Sequence, residues 1–155
     1  MLNSRTSRRW LQLAAALVIF AWLLPVKAGE LNSAALSYKL PDQIKWVKNN
    51  NGAETAVVLG DPAKPGLYIV LNKWTPHHMS RPHFHPNDRY ITVLSGTWWV
   101  GTGSKYDPDS TVPMPAGTFV THYGKQIHYD GAKDVEAVLE IVGEGPATAT
   151  PAEAK

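Results

Sequence analysis

The chain has 155 residues, enough for one domain, and no block of differing composition argues for a second. It contains no cysteine, which excludes disulfides and thiolate metal sites, so a metal would have to be held by nitrogen and oxygen. The formal net charge is +2, but Arg5, Arg8, Arg9 and Lys27 all lie in the first 28 residues. Without them Lys+Arg falls from 15 to 11 against 13 acids, near −2, and nucleic-acid binding loses its electrostatic support.

Residues 1–28 read as a targeting segment rather than as fold. A basic start precedes an apolar run over residues 10–24, short for a membrane span and suited to a signal-peptide core. Val26, Lys27 and Ala28 offer a small-residue cleavage site before Gly29. A signal peptide of this kind predicts a periplasmic or secreted protein with no membrane contact after cleavage; a retained membrane anchor is the competing reading. Ser7, Arg8, Arg9, Trp10 and Leu11 resemble the twin-arginine export signal, and Lys27 suits that route. Gln12 and Leu13 depart from the pattern, so an ordinary secretory signal fits as well.

Residues 29–54 read as a lead-in, with one helical turn over residues 41–48 and a turn signal at Asn49, Asn50, Asn51 and Gly52. Residues 55–59 form a strand ended by Gly60, Asp61 and Pro62. Pro65 and Gly66 mark another turn, and residues 67–74 form a second strand rich in β-formers. Next comes an extended segment carrying His83 and His85. Residues i and i+2 of a strand face the same way, so both imidazoles can project into one cavity and bind one ion. With prolines on either side, a surface pair beside a turn is the plainer alternative.

Residues 89–102 read as a hairpin. A Ser95-Gly96 turn would pair Val93 with Trp98, Ile91 with Val100 and Arg89 with Thr102. If those apolar residues face inward, Arg89 does too and needs an internal carboxylate or an anionic ligand; otherwise it sits at the strand's wet end. Trp98 is expected in the core, Trp74 and Tyr106 near the mouth, His77 and His78 on the surface, and Asp88 in a turn. Strands are predicted at 118–121 and 137–142, with His122 and His128 between them. The Ala/Thr/Pro-rich end, residues 143–155, is expected to be disordered. Short strands, frequent Gly and Pro and no long helical period make the class all-β.

From here the residues resemble the cupin family. Its first motif runs Gly, five residues, His-x-His, three or four residues, Glu, six residues, Gly. His83, His85 and Gly96 fit it, with His77 in the leading Gly position and Arg89 in the Glu position. The second motif, started from Gly117, brings its histidine onto His128, while Tyr123, Lys125 and Ala132 replace its Pro, Gly and Asn. The resemblance covers residues 55–142 and is closest to small, single-domain exported bacterial cupins. It implies a cupin-type double-stranded β-helix (jelly-roll) barrel and makes His83, His85 and His128 ligands of a divalent transition metal, Fe, Mn, Zn, Ni or Cu. A homodimer is implied by the resemblance alone.

Arginine cannot ligate a metal, so the Glu position leaves three outcomes. The metal rests on three histidines and water, or His122 is a fourth ligand, or the metal has been lost and Arg89 grips an anion. The functional expectation is an exported metal-dependent oxidoreductase or decarboxylase acting on a small anionic or enolisable molecule. The alternative is a non-catalytic module that binds an anion or sugar. Fold does not choose between them.

Overall fold

The computed structural model describes residues 29–155, so the expected signal peptide and export route lie outside the described residues. Residues 29–37 belong to a unit of their own, where the Asn32 carbonyl and side chain cap a turn by accepting the Ala35 and Ala34 N–H groups, each at 3.0 Å. Residues 38–155 form the β unit.

Its strands run β1 (Val47–Lys48), β2 (Ala53–Leu59), β3 (Gly66–Trp74), β4 (His78–Met79), β5 (His83–Phe84) and β6 (Arg89–Ser95). They continue with β7 (Thr97–Thr102), β8 (Val112–Pro115), β9 (Phe119–His122), β10 (His128–Ala132), β11 (Ala137–Gly145) and β12 (Thr150–Pro151). The helical elements among the described residues are two single turns, Pro41–Gln43 and Pro108–Ser110. All pairing is antiparallel. One sheet has the order β1-β2-β3-β11-β6-β9, and the other β12-β5-β10-β7-β8, with β4 also on β10.

Alternation along the strands sets which side chains fill the space between the sheets. On β11, Ala137, Leu139 and Ile141 are buried while Val138, Glu140 and Val142 are less so. Tyr68 and Val70 of β3, Ile91 and Val93 of β6, and Trp98 and Val100 of β7 join them in one core cluster drawn from both sheets. Ile91 and Leu139 are at most 1% exposed, and burial of that completeness contributes about 1.5–3 kcal/mol per side chain.

Two expectations are corrected. Residues 89–102 are not a hairpin. β6 pairs with β11 and β9, β7 pairs with β10 and β8, and the chain crosses between sheets at Gly96, whose φ is +73°. The facing was right, with Ile91, Val93, Trp98 and Val100 buried and Tyr90 and Leu94 exposed, because a period of two reports the face of a strand and not its partner.

The end of the chain is not disordered. β11 continues to Gly145, β12 pairs with β5, and the Ala152 and Ala154 N–H groups donate to the carbonyls of Pro82 and Ser104, each at 2.9 Å. Main-chain bonds to the open edge of β5 place this segment, and composition does not register those. The sheets also reach beyond residues 55–142: β2 begins at Ala53, and β1 lies within the expected lead-in.

Candidate metal centre

β5 is only two residues long, yet it is held on both edges, by β10 and β12. His83 stands directly opposite His128 of β10. His85 follows two residues later, as same-face spacing requires, and its ring centroid is 4.9 Å from that of His83 and 5.4 Å from that of His128. The third pair, His83 and His128, is separated by 4.6 Å. The ligand atoms of the three residues all lie within 4.8 Å of one another. His85 and His128 are buried and His83 half-buried.

Each of the three rings is oriented by a backbone carbonyl. His83 Nδ1–H donates to Arg81 O at 2.8 Å, His85 Nδ1–H to Thr148 O at 2.9 Å, and His128 Nδ1–H to Gln126 O at 3.1 Å. A carbonyl only accepts, so the proton sits on Nδ1 and the Nε2 lone pair is left for the interior. His83 Nε2 and His85 Nε2 come within 3.2 Å, and His128 Nε2 is buried with no partner. Lone pairs converging in this way repel unless a cation lies between them. A second group with metal-binding geometry shares His128: His122, His128 and Asp130.

His122, on β9 of the other sheet, faces inward. Its ring lies 3.8 Å from that of His128 and 5.3 Å from the Trp98 ring, and both its nitrogens are buried without a partner. Arg89 also points inward, in a row across the first sheet in which Tyr68 pairs with Gly143, Gly143 with Arg89, and Arg89 with His122. Its Nε is buried and unpaired. Three ion pairs form among the described residues, Lys64–Asp61, Lys73–Glu54 and Arg81–Glu153, and none involves Arg89.

Burial dominates the electrostatics. It drives His85 down to about 3, with Arg89 and then His83 and His128 adding to the effect. It drives His122 to about 2, helped first by His128 and then by Arg89. His128 falls to about 4, again by burial, with the Asp130 carboxylate opposing. All three rings are therefore neutral near pH 7, the form that can ligate a metal. Burial also lowers the Arg89 pKa, against the opposing pull of Asp130 and Tyr68.

Asp130, which the sequence reading missed, is an internal carboxylate whose charge acts on Arg89 although the two form no ion pair. It lies two residues beyond His128 on a strand, so the spacing that linked His83 to His85 would have found it. Its carboxylate accepts the Trp98 Nε1–H at 3.2 Å. Tyr68, buried beside the Arg89 row, was missed as well.

The remaining candidates lie elsewhere. His78 is tied by Nδ1 to Thr75 Oγ1 and Pro76 O, both at 2.9 Å, and His77 precedes it at φ +64°. Asp88 accepts the Gly124 N–H at 2.7 Å, a loop role. Trp98 is core as expected; Trp74 is core too rather than near a mouth, and Tyr106 packs under Arg81 and against Tyr129.

No family model matches the chain, and no curated protein matches it. Solved structures do. The polyketide cyclase RemF of Streptomyces resistomycificus is 14% identical with a TM-score of 0.64, the match covering 77% of this chain and 87% of that one. KdgF of Halomonas sp. is 17% identical with a TM-score of 0.56, covering 70% and 94%. An RmlC-like cupin of Shewanella frigidimarina is 15% identical with a TM-score of 0.57, covering 71% and 90%. Likeness at this identity defines the fold: the chain is a cupin-type double-stranded β-helix, as the resemblance in its sequence implied.

Proposed function

We propose that this chain is an exported cupin-fold protein that holds one divalent transition metal ion on Nε2 of His83, His85 and His128, with the remaining positions left to water or substrate; His122 groups with His128 and Asp130 instead. The observation that supports it is the carbonyl bond at each Nδ1, which leaves Nε2 free in three residues whose ligand atoms lie within 4.8 Å of one another. An all-nitrogen, cysteine-free set suits Zn, Cu, Ni or Fe, and Mn with added oxygen donors. The ion would supply Lewis-acid chemistry, polarising a bound oxygen or acidifying a bound water.

The chain's own residues do the rest. The inward-facing guanidinium of Arg89, whose Nε is buried without a partner, binds a carboxylate or enolate oxygen of a small molecule and offsets its charge. Trp98 holds the Asp130 carboxylate in place through its indole N–H. The fitting reaction class is oxidation or decarboxylation of a small anionic or enolisable molecule. A polyketide cyclase shares the fold, and polyketides are enolisable. Export rests on the targeting pattern in residues 1–28. The test is elemental analysis of the purified chain beside its His83→Ala and His128→Ala variants: bound metal in the parent and its loss in both variants is expected. A folded parent that neither carries nor takes up metal contradicts the proposal.

One observation favours a second reading, a binding module without turnover: an arginine stands where a cupin carries its Glu ligand, and its Nε has no partner. That reading requires thermal stabilisation by oxalate or a sugar acid that survives chelators and disappears in Arg89→Met. Stabilisation abolished by chelation returns the case to the metal.

A further inference from the structure

The end of the chain reaches both His83 of β5 and His85 just beyond it. Thr148 O accepts the His85 Nδ1–H at 2.9 Å. Two residues on, Thr150 pairs with Phe84 and Pro151 with His83. Glu153 then takes the Arg81 guanidinium in a two-point ion pair, with Nε at 2.9 Å, and that guanidinium lies 3.8 Å from the centre of the Tyr106 ring. The carbonyl of the same Arg81 accepts the His83 Nδ1–H. His85 is thus tied to the end of the chain directly, and His83 by strand pairing and through Arg81.

The attachment is weaker than the barrel it closes. A two-residue strand contributes few main-chain bonds, and the Arg81 and Glu153 side chains are 60% and 33% exposed, where an ion pair contributes about 0–1 kcal/mol. Immediately before it, Ala147 packs on the core and donates its N–H to Pro62 O at 2.7 Å. The segment beyond Ala147 can therefore lift while the core contacts stay made.

We propose that residues 148–155 form a strap that positions His83 and His85 for a metal ion, so that the affinity and release rate of the metal depend on the strap being docked. The proposal rests on the metal-binding reading above. Groups that orient metal-bound histidines typically change affinity by about 10–100-fold when lost. Arg81, Thr148 and Glu153 are positioning residues, and the strap is a built-in route for metal loading and exchange.

The test uses the full-length chain. Glu153→Arg breaks the ion pair by charge repulsion, Ala152→Pro removes the N–H that bonds to Pro82, and Arg81→Glu combined with Glu153→Arg restores opposite charges. Zn²⁺ affinity and release are measured by chelator competition, the Co²⁺ absorption spectrum reports ligand geometry, and melting of the metal-stripped protein reports the barrel. Both single variants are expected to bind Zn²⁺ about 10–100-fold more weakly, release it faster and shift the Co²⁺ spectrum, with little change in apo melting and recovery in the charge swap. Unchanged affinity, release and spectrum in both overturn the strap, as does a loss that only tracks apo melting. An unaltered chain that binds no metal overturns the metal reading itself, and the strap's role with it.

Discussion

His83 and His128 sit directly opposite each other across the pairing of β5 with β10, 45 residues apart in sequence, with ring centroids 4.6 Å apart. Strand register therefore sets the pair's geometry, and a one-residue slip of either strand would turn one imidazole out of the interior. Backbone carbonyls fix the remaining freedom, the ring tautomer and tilt, as seen at Arg81 and Gln126.

Replacing either member of that pair should abolish tight binding. His83→Ala and His128→Ala are each expected to lower transition-metal affinity by more than about 100-fold, beyond the loss typical of an orienting group. Chelator competition with Zn²⁺ measures this, and near-parental affinity in either variant would argue against the ligand set.

Arg89→Met should act in the opposite sense on the metal. It removes a buried positive charge that Asp130 offsets without forming an ion pair, so Zn²⁺ is expected to bind at least as tightly. Oxalate, a small dianion, should no longer raise the melting temperature. Retained oxalate stabilisation in the variant would remove Arg89 from the ligand site.

The metal-stripped protein should lose stability as pH falls below about 6.5, the ordinary histidine value. His85, His122 and His128 are held at about 3, 2 and 4 in the fold. Their folded values lie below the unfolded one, so below pH 6.5 the unfolded chain binds protons that the folded chain refuses. Each group then costs up to about 1.4 kcal/mol per pH unit until the pH reaches its folded value, below which no more is lost. Denaturant titrations at pH 7 and 5 in chelator measure the slope, and His122→Phe should reduce it. Equal stability at the two pH values would contradict neutral burial.

Gly143 pairs with both Tyr68 and Arg89, and a Cβ built there would lie 2.7 Å from the Tyr68 hydroxyl oxygen and 2.9 Å from its ring. Gly143→Ala must displace that ring within the row beside Arg89. A cost of about 1–3 kcal/mol is expected, as for overpacked cores, and denaturant unfolding measures it. No change in stability would mean that Tyr68 moves aside freely.

The sequence carried the class of fold and the histidines because both depend on local rules. His83 and His85 share a face by alternation, and the motif spacing reached His128. Pairing partners were beyond it: β6 and β7 look like hairpin arms because each alternates correctly, yet their partners are β11, β9, β10 and β8. The strand at Thr150–Pro151 escaped notice because an edge pairing depends on main-chain bonds, which any residue but proline can donate. Whether His122 faced inward was unreadable across the loop at Tyr123 and Gly124, and its burial against Trp98 comes from the packing of one sheet on the other. Asp130 was legible by the same i+2 rule and was overlooked.

The central claim is that His83, His85 and His128 turn their Nε2 lone pairs onto a single ion. Elemental analysis of the chain purified from metal-replete cells, in parallel with His128→Ala, tests it most directly. The account predicts roughly one transition-metal ion per parent chain and a sharp loss in the variant. A folded parent chain without metal, and unable to take it up from solution, would contradict it.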